Sequence, residues 1–428
     1  MKKVEKLNKG LSGRITIPAD KSISHRAVML SSIANGFCTI ENFSGGADCK
    51  STVELFKQLG VDIFYSDEKT LRIFSNGILH SNTDFECTCG NSGTTMRLVT
   101  GILASRFFKS TLTGDESLSL RPMQRIIEPL MLMGADIEST EGHAPLIIHG
   151  KGLKGIKYHS DIASAQVKSS VLLAGLRAQG VTTYVEPYIS RNHTELMLDY
   201  LGADITSDGN SVTVWSSELE AKDITIVGDI SSAAFFIVAG LLVSDSDFII
   251  ENVGINPTRT GILDIVSRMG ASVELLNEHV VSGEPVADIH VQYCENLKAC
   301  IIEGDDIPRL IDELPIIAVL ASQAEGETVV KNAEDLRNKE SDRIKCLVSG
   351  LSSIGVDIEE TEDGFIVRGK TQLEGGVEVE SYRDHRLAMS FYVAGLLCKK
   401  EIAVRSFEWI NISFPEFEKL MYNLICND

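Results

Sequence analysis

Five glycines recur along this chain at near-regular spacing, each in the same short setting: LGVDI (59–63), MGADI (133–137), LGADI (201–205), MGASV (269–273) and IGVDI (354–358). Gly60, Gly134, Gly202, Gly270 and Gly355 lie 74, 68, 68 and 85 residues apart. A glycine closing an amphipathic stretch reads as a helix C-terminal stop, and the alternation beyond it as a half-exposed strand. A repeat of this length is too long for a solenoid unit of roughly 20–50 residues. The chain therefore repeats a mixed unit of helix and strand.

A second pattern recurs six times, and each copy but the last precedes one of these glycines by about forty residues. A polar, capped start runs into a helix of small and apolar residues at 20–36, 90–105, 164–180, 228–244, 311–326 and 382–398. Helices apolar nearly all round belong in a buried layer. In the first copy, DKSISHRAVMLSSIANG, Asp20 or Ser22 serves as N-cap and Gly36 as stop. The last copy has a short tail, and residues 1–19 hold strand material with no helix of their own. The economical arrangement is two α/β lobes of three units each: 20–227, and 1–19 with 228–428. In it the buried helices of each lobe point their polar turns the same way, and if the lobes face each other all six turns line one cleft.

The 428 residues carry a formal net charge of −20, which disfavours nucleic acid and anionic membrane as partners. The longest apolar runs, such as AAFFIVAGLLV (233–243), fall short of the roughly 20 residues of a membrane span. MKKVEKLNKG has no apolar signal region, and nine scattered cysteines without zinc spacing fit a reducing cytoplasm. Cys87 and Cys89 are expected on one face of a strand.

Lys21 and Arg26 stand in and beside the first turn of the first helix, where the dipole already presents positive charge. Cations stacked there call for an anion. Gly93, with Ser92, Thr94 and Thr95, offers backbone N–H groups for an oxyanion, although such a loop by itself is often only a turn. Arg121 precedes Pro122 at an expected helix start. Ser164 and Gln166 open the third helix, with a capped core helix as the plain reading. Asp312 and Glu313 enter a buried helix ahead of Pro315, the setting of a general acid/base. The charged run EDLRNKESDR (334–343) reads by itself as a solvated helix face, and His385 as a cap residue satisfied by Asp384. Arg26, Arg121, Arg343 and Arg386 come from four repeats and suit bidentate grip on two anionic groups. No phosphate-loop or cofactor fingerprint is present.

Taken in order, DKSISHRA, GNSGTTMRL, LRPMQR, ASAQVKS, IDELP, RNKESDR and YRDHRLAM resemble the 5-enolpyruvylshikimate-3-phosphate (EPSP) synthases. GNSGTTMRL, SRNHTE and SFPEF are most similar to the bacterial class II group. The resemblance runs from Lys21 to Phe417. It implies the α/β two-lobed enolpyruvyl transferase fold, an inverse α/β barrel of six βαβαββ units, three per lobe. It implies transfer of the enolpyruvyl group of phosphoenolpyruvate to the 5-hydroxyl of shikimate 3-phosphate, with release of phosphate and without metal or organic cofactor. Position by position, Lys21, Ser22, Arg26, Ser164, Gln166, Asp312 and Lys339 would hold shikimate 3-phosphate. Lys21, Gly93, Arg121, Gln166, Arg343 and Arg386 would hold phosphoenolpyruvate. Asp312 would be the base, Glu340 the acid, and Lys21 would stabilise the tetrahedral state. Both partners are small molecules, and a cytoplasmic monomer is the expected form.

Three positions depart from many relatives: Ala165 replaces a serine, Asp335 an asparagine, and Ile412 a lysine found in some. Two alternatives are a UDP-N-acetylglucosamine enolpyruvyl transferase and a non-catalytic phosphometabolite binder. The first carries Lys-Asn at the opening motif and a loop cysteine, whereas here Ser22 follows Lys21 and 107–125 holds no cysteine. The second would not need both Asp312 and Glu340.

Overall fold

The computed structural model describes residues 1–80 and 84–426. The chain divides into two compact units: 19–226 with 281–284, and 1–18 with 227–280 and 285–428. Each is described by itself.

The five repeat glycines end helices by one mechanism. Their φ angles run from +84° to +104°, a region that side-chain-bearing residues avoid. At the first, Gly60 N–H donates to Lys57 O at 3.0 Å and Val61 N–H to Phe56 O at 3.1 Å, the paired bonds of a Schellman stop. The same pair recurs at Gly134, Gly202, Gly270 and Gly355. A Cβ on Gly134 would meet nothing within 4 Å, so only the backbone conformation demands glycine there. Gly134→Ala is expected to cost about 1–2 kcal/mol. A lower urea midpoint with unchanged enzyme kinetics would show it, and an unchanged midpoint would contradict it.

Gly36 behaves differently from the expected stop. The first helix, Lys21–Ile33, ends at Ala34, which is already extended. Gly36 lies inside the strand Ala34–Glu41, which pairs with Thr70–Asn76 from Asn35↔Asn76 onward. Strand pairing ends this helix, not a glycine cap.

Among the described residues there are six sheets; five repeat one four-strand order, and the sixth has three strands, Glu378–Glu380, Ile402–Arg405 and Lys2–Val4. In the second, Phe85–Thr88 lies parallel to Lys109–Thr113, which pairs antiparallel with His143–His149, which pairs antiparallel with Asp136–Thr140. Chain order with the helices Gly93–Ala104 and Gln124–Leu132 then gives strand, helix, strand, helix, strand, strand. Three sheets borrow a strand from the far end of their own unit. Leu219–Glu220 and Ile224–Thr225 lie beside Ala34–Glu41. Ser12–Thr16 lies parallel to Asp247–Gly254, and Lys2–Val4 lies antiparallel to Ile402–Arg405.

The first helix of each repeat fills the core. Ile230–Leu242 is buried from Ile230 through Leu241, whereas the second helix Gly261–Arg268 buries Gly261, Ile262, Ile265 and Val266, a single stripe. Helices Gly93–Ala104 and Ala165–Gly175 touch backbone to backbone: a Cβ on Gly101 would fall 2.1 Å from Ser170 O. Phe414 and Phe417 of SFPEF are fully buried and stack with Phe236 at 5.9 and 5.5 Å between ring centres. That motif is core packing. Cys87 lies in its strand, but Cys89 falls just beyond the strand's end at Thr88.

Candidate active site

In the unit built on 19–226, three buried helices open with side-chain caps. Asp20 accepts the Ile23 N–H at 2.8 Å, Ser92 the Thr95 N–H at 3.1 Å, and Ser164 the Val167 N–H at 3.5 Å. Lys21, the first residue of its helix, forms an ion pair with Asp48 and keeps 30% of its side chain exposed. Arg26 is buried. It donates to Thr194 Oγ1 at 2.7 Å, Ser169 Oγ at 2.9 Å and Ser22 O at 3.0 Å. Burial pulls its guanidinium down to about 10, partly offset by Glu195, so it stays charged at neutral pH.

Gly93 begins the second helix with two guanidiniums over its open face. A Cβ there would sit 3.0 Å from Arg97 Nη1 and 3.6 Å from Arg121 Nη1. Arg97 donates to Gln166 Oε1 at 2.7 Å, and Gln166 Nε2 donates to Thr94 Oγ1 at 3.1 Å, which joins the second and third helix starts. Arg121 donates to Asn91 Oδ1 at 2.7 Å, and its buried Nε lacks a hydrogen-bond partner among the described residues. Pro122 lies between the short helix Glu116–Ser119 and the next, which begins at Gln124 with Met123 as cap. The expected helix start is thus shifted two residues.

The other unit gathers its charges around Asp312. Arg343 Nη1 lies 3.4 Å from Asp312 Oδ1, Lys339 Nζ 3.6 Å from the same oxygen, and Arg386 Nη2 3.8 Å from Oδ2. Arg386 also donates to Asp312 O at 3.2 Å. Arg343 is buried, with Nε 2.8 Å from Asp384 Oδ2 and Nη2 2.5 Å from Glu340 Oε2. Its burial opposes the charge, but Asp384, Glu340 and Asp312 together outweigh that and hold the guanidinium above its ordinary value. The charged run 334–343 is not a solvated helix face. It forms a short 3-10 turn, Glu334–Asn338, then breaks at extended Lys339, and Arg343 starts a new helix capped by Asp342. That break turns Lys339 and Arg343 toward Asp312.

Asp384 directs its carboxylate to the Arg386 N–H, Ser341 and Arg343. His385 is buried and pushed down to about 4, chiefly by burial, so it is neutral. Next to Asp312, Glu313 is fully buried and accepts a very short bond from Ser231 Oγ, which accepts in turn from Arg259 Nη2 at 2.7 Å. Arg259 also pairs with Asp229 at 3.1 Å.

The structure thus places Lys21, Ser22, Arg26, Gly93, Ser164 and Gln166 at or near helix starts of one unit, and Arg121 between the helices Glu116–Ser119 and Gln124–Leu132. It gathers Asp312, Lys339, Glu340, Arg343 and Arg386 in the other. Neither motif nor spacing singled out Asp48, Thr52, Lys168 or Arg259. Lys168 had one visible signal, an ammonium in the middle of an apolar helix. Of the departures, Ala165 is the first residue of its helix, Asp335 is exposed on the 3-10 turn, and Ile412 ends the 3-10 turn Phe407–Ile412.

A family model described as EPSP synthase (3-phosphoshikimate 1-carboxyvinyltransferase) matches residues 6–421. The chain is 51% identical over 411 residues to the 3-phosphoshikimate 1-carboxyvinyltransferase of Thermoanaerobacter sp. (strain X514), covering 96% of both. It is 51% identical over 417 residues to the enzyme of that name from Geotalea uraniireducens (strain Rf4), again covering 96% of each. Among solved structures, an EPSP synthase from Acinetobacter baumannii matches with TM-score 0.88 and 42% identity, over 99% of this chain and 97% of that one. The enolpyruvyl transferase NikO from Streptomyces tendae matches with TM-score 0.80 at 17% identity, over 99% and 96%, which shows a shared fold. The chain has the enolpyruvyl transferase fold and belongs to the EPSP synthase family.

Proposed function

We propose that this chain transfers the enolpyruvyl group of phosphoenolpyruvate to the 5-hydroxyl of shikimate 3-phosphate, releasing phosphate. The observation that carries the reading is one carboxylate, Asp312, within 4 Å of Lys339, Arg343 and Arg386. Such a group can take a proton while its cations turn to anionic substrates.

In this reading Arg26, Ser22, Ser164, Gln166 and Lys339 hold shikimate 3-phosphate. Arg121, Arg343, Arg386 and the Gly93 turn hold phosphoenolpyruvate, with Lys21 and Gln166 serving both. As the carboxylate and phosphate of phosphoenolpyruvate engage the guanidiniums, Asp312 is released from its ion pairs and accepts the 5-hydroxyl proton. The hydroxyl oxygen attacks C2, and Glu340 delivers a proton to the methylene carbon. A methyl proton then returns to the Glu340 carboxylate as phosphate departs with the proton that Asp312 took, which restores the double bond. Lys21 stabilises the tetrahedral state at the leaving oxygen. Only proton transfers and fixed charges are required. Action as a monomer and a cytoplasmic location go with the same reading. No helix among the described residues is long and apolar enough to cross a membrane.

The test is phosphate release from phosphoenolpyruvate in chelated buffer, with shikimate 3-phosphate or UDP-N-acetylglucosamine as acceptor. Release is expected with shikimate 3-phosphate alone. Release only with the nucleotide sugar would overturn the reading, as would silence with both in a folded protein.

A further inference from the structure

His25 lies one helical turn beyond Lys21 and has no part in the roles above. Its Nδ1 is 2.7 Å from Thr52 Oγ1, which is 2.7 Å from Thr95 Oγ1. Thr95 Oγ1 donates to Ser92 Oγ at 2.7 Å, and Ser92 caps the helix that carries Gly93. All four side chains are at most 1% exposed.

The bonds can run only one way. Each hydroxyl has a single hydrogen. Thr95 spends its own on Ser92, so it accepts from Thr52, and Thr52 in turn accepts from His25. Nδ1 therefore carries the proton and Nε2 the lone pair. Nε2 is buried without a hydrogen-bond partner among the described residues, and an orphaned acceptor is better tolerated than an orphaned donor. A charged imidazole is disfavoured by burial first and then by Lys21, which push it down to about 3.

The chain crosses three helices. Lys21 pairs with Asp48, and His25 bonds Thr52, so helices Lys21–Ile33 and Ala47–Gln58 are joined by two rungs four residues apart on each. From the second rung Thr52 reaches the Gly93 helix through Thr95. Lys21 and the Gly93 turn are thereby linked through the buried His25, Thr52, Thr95 and Ser92.

We propose that His25, Thr52 and Thr95 are positioning residues for phosphoenolpyruvate: their one-way hydrogen-bond chain to Ser92 sets the Gly93 turn against Lys21. The proposal rests on the reading that Lys21 and Gly93 hold that substrate.

Thr52→Val keeps the shape of the side chain and removes both bonds, whereas Thr52→Ser keeps the hydroxyl. Thr52→Val is expected to raise KM for phosphoenolpyruvate about tenfold, the scale of one buried hydrogen bond. Its kcat and its KM for shikimate 3-phosphate should stay within about twofold, and Thr52→Ser should restore the wild-type KM. In the wild type, nitrogen-15 shifts should show His25 protonated at Nδ1 and bare at Nε2. An unchanged KM in folded Thr52→Val, equal changes for both substrates, or no rescue by serine would overturn the proposal. If Thr52→Val does not fold, the wild-type tautomer decides, and a proton on Nε2 overturns it. A wild type with the Nδ1 tautomer but no transfer to shikimate 3-phosphate would overturn the functional reading while leaving the chain's direction established.

Discussion

Asp312→Asn is expected to lower kcat about a thousandfold, within the range that a positioned general base contributes. The amide keeps the size of the side chain but accepts no proton. It also removes an anion from among Lys339, Arg343 and Arg386, all within 4 Å of that carboxylate. Those cations then have fewer competitors when anionic substrates arrive. KM for phosphoenolpyruvate should therefore hold steady or fall while kcat collapses. That split separates loss of the base from damage to the binding site, since a damaged site would raise KM. Steady-state kinetics with each substrate varied will decide it. A kcat within about tenfold of wild type would mean that another group takes the proton.

Lys168→Met is expected to destabilise the protein by about 3–5 kcal/mol, the cost of breaking a buried ion pair from one side. The Lys168 ammonium is 1% exposed and lies 2.7 Å from Glu186 and 2.8 Å from Glu195, which are 2% and 6% exposed. Methionine fills the space but leaves Glu186 and Glu195 without the ammonium that lies against both. The effect should also reach the substrate site. Glu195 follows Thr194, whose hydroxyl receives the Arg26 Nε–H. Urea unfolding gives the first quantity, and KM for shikimate 3-phosphate reports the second. Adding Glu186→Gln should recover part of the loss, because one buried charge is then gone. A single variant within about 1 kcal/mol of wild type would show that the pair is compensated elsewhere.

Much of the architecture was legible because it repeats. The Schellman glycines and the buried helices follow local rules: a positive φ at Gly60 and its counterparts, and apolar residues on every face of Ile230–Leu242. Helix starts were legible from capping residues such as Asp20 and Ser164, whereas Ser92 reads in the sequence only as a loop hydroxyl beside Gly93. Where local rules misled, a distant partner was in control. Gly36 lost its place as a stop to strand pairing with Thr70–Asn76, and the run 334–343 broke in two where Arg343 turns inward to Asp384.

The residues by themselves offered Asp312, Lys21 and the arginines as candidates, and the family resemblance added Glu340. They could not name Asp48, Thr52, Lys168 or Arg259. A buried polar group is set by whichever partner completes its hydrogen bonds, and these partners are remote in the chain. Thr52 and Thr95 are 43 residues apart, and Arg259 and Ser231 are 28 apart. Sequence by itself determined the repeat and most of the helix starts, since each depends on neighbours in the chain. The tertiary structure alone decided which charges are shared and which hydroxyls form a chain, because desolvated polar groups are satisfied across space.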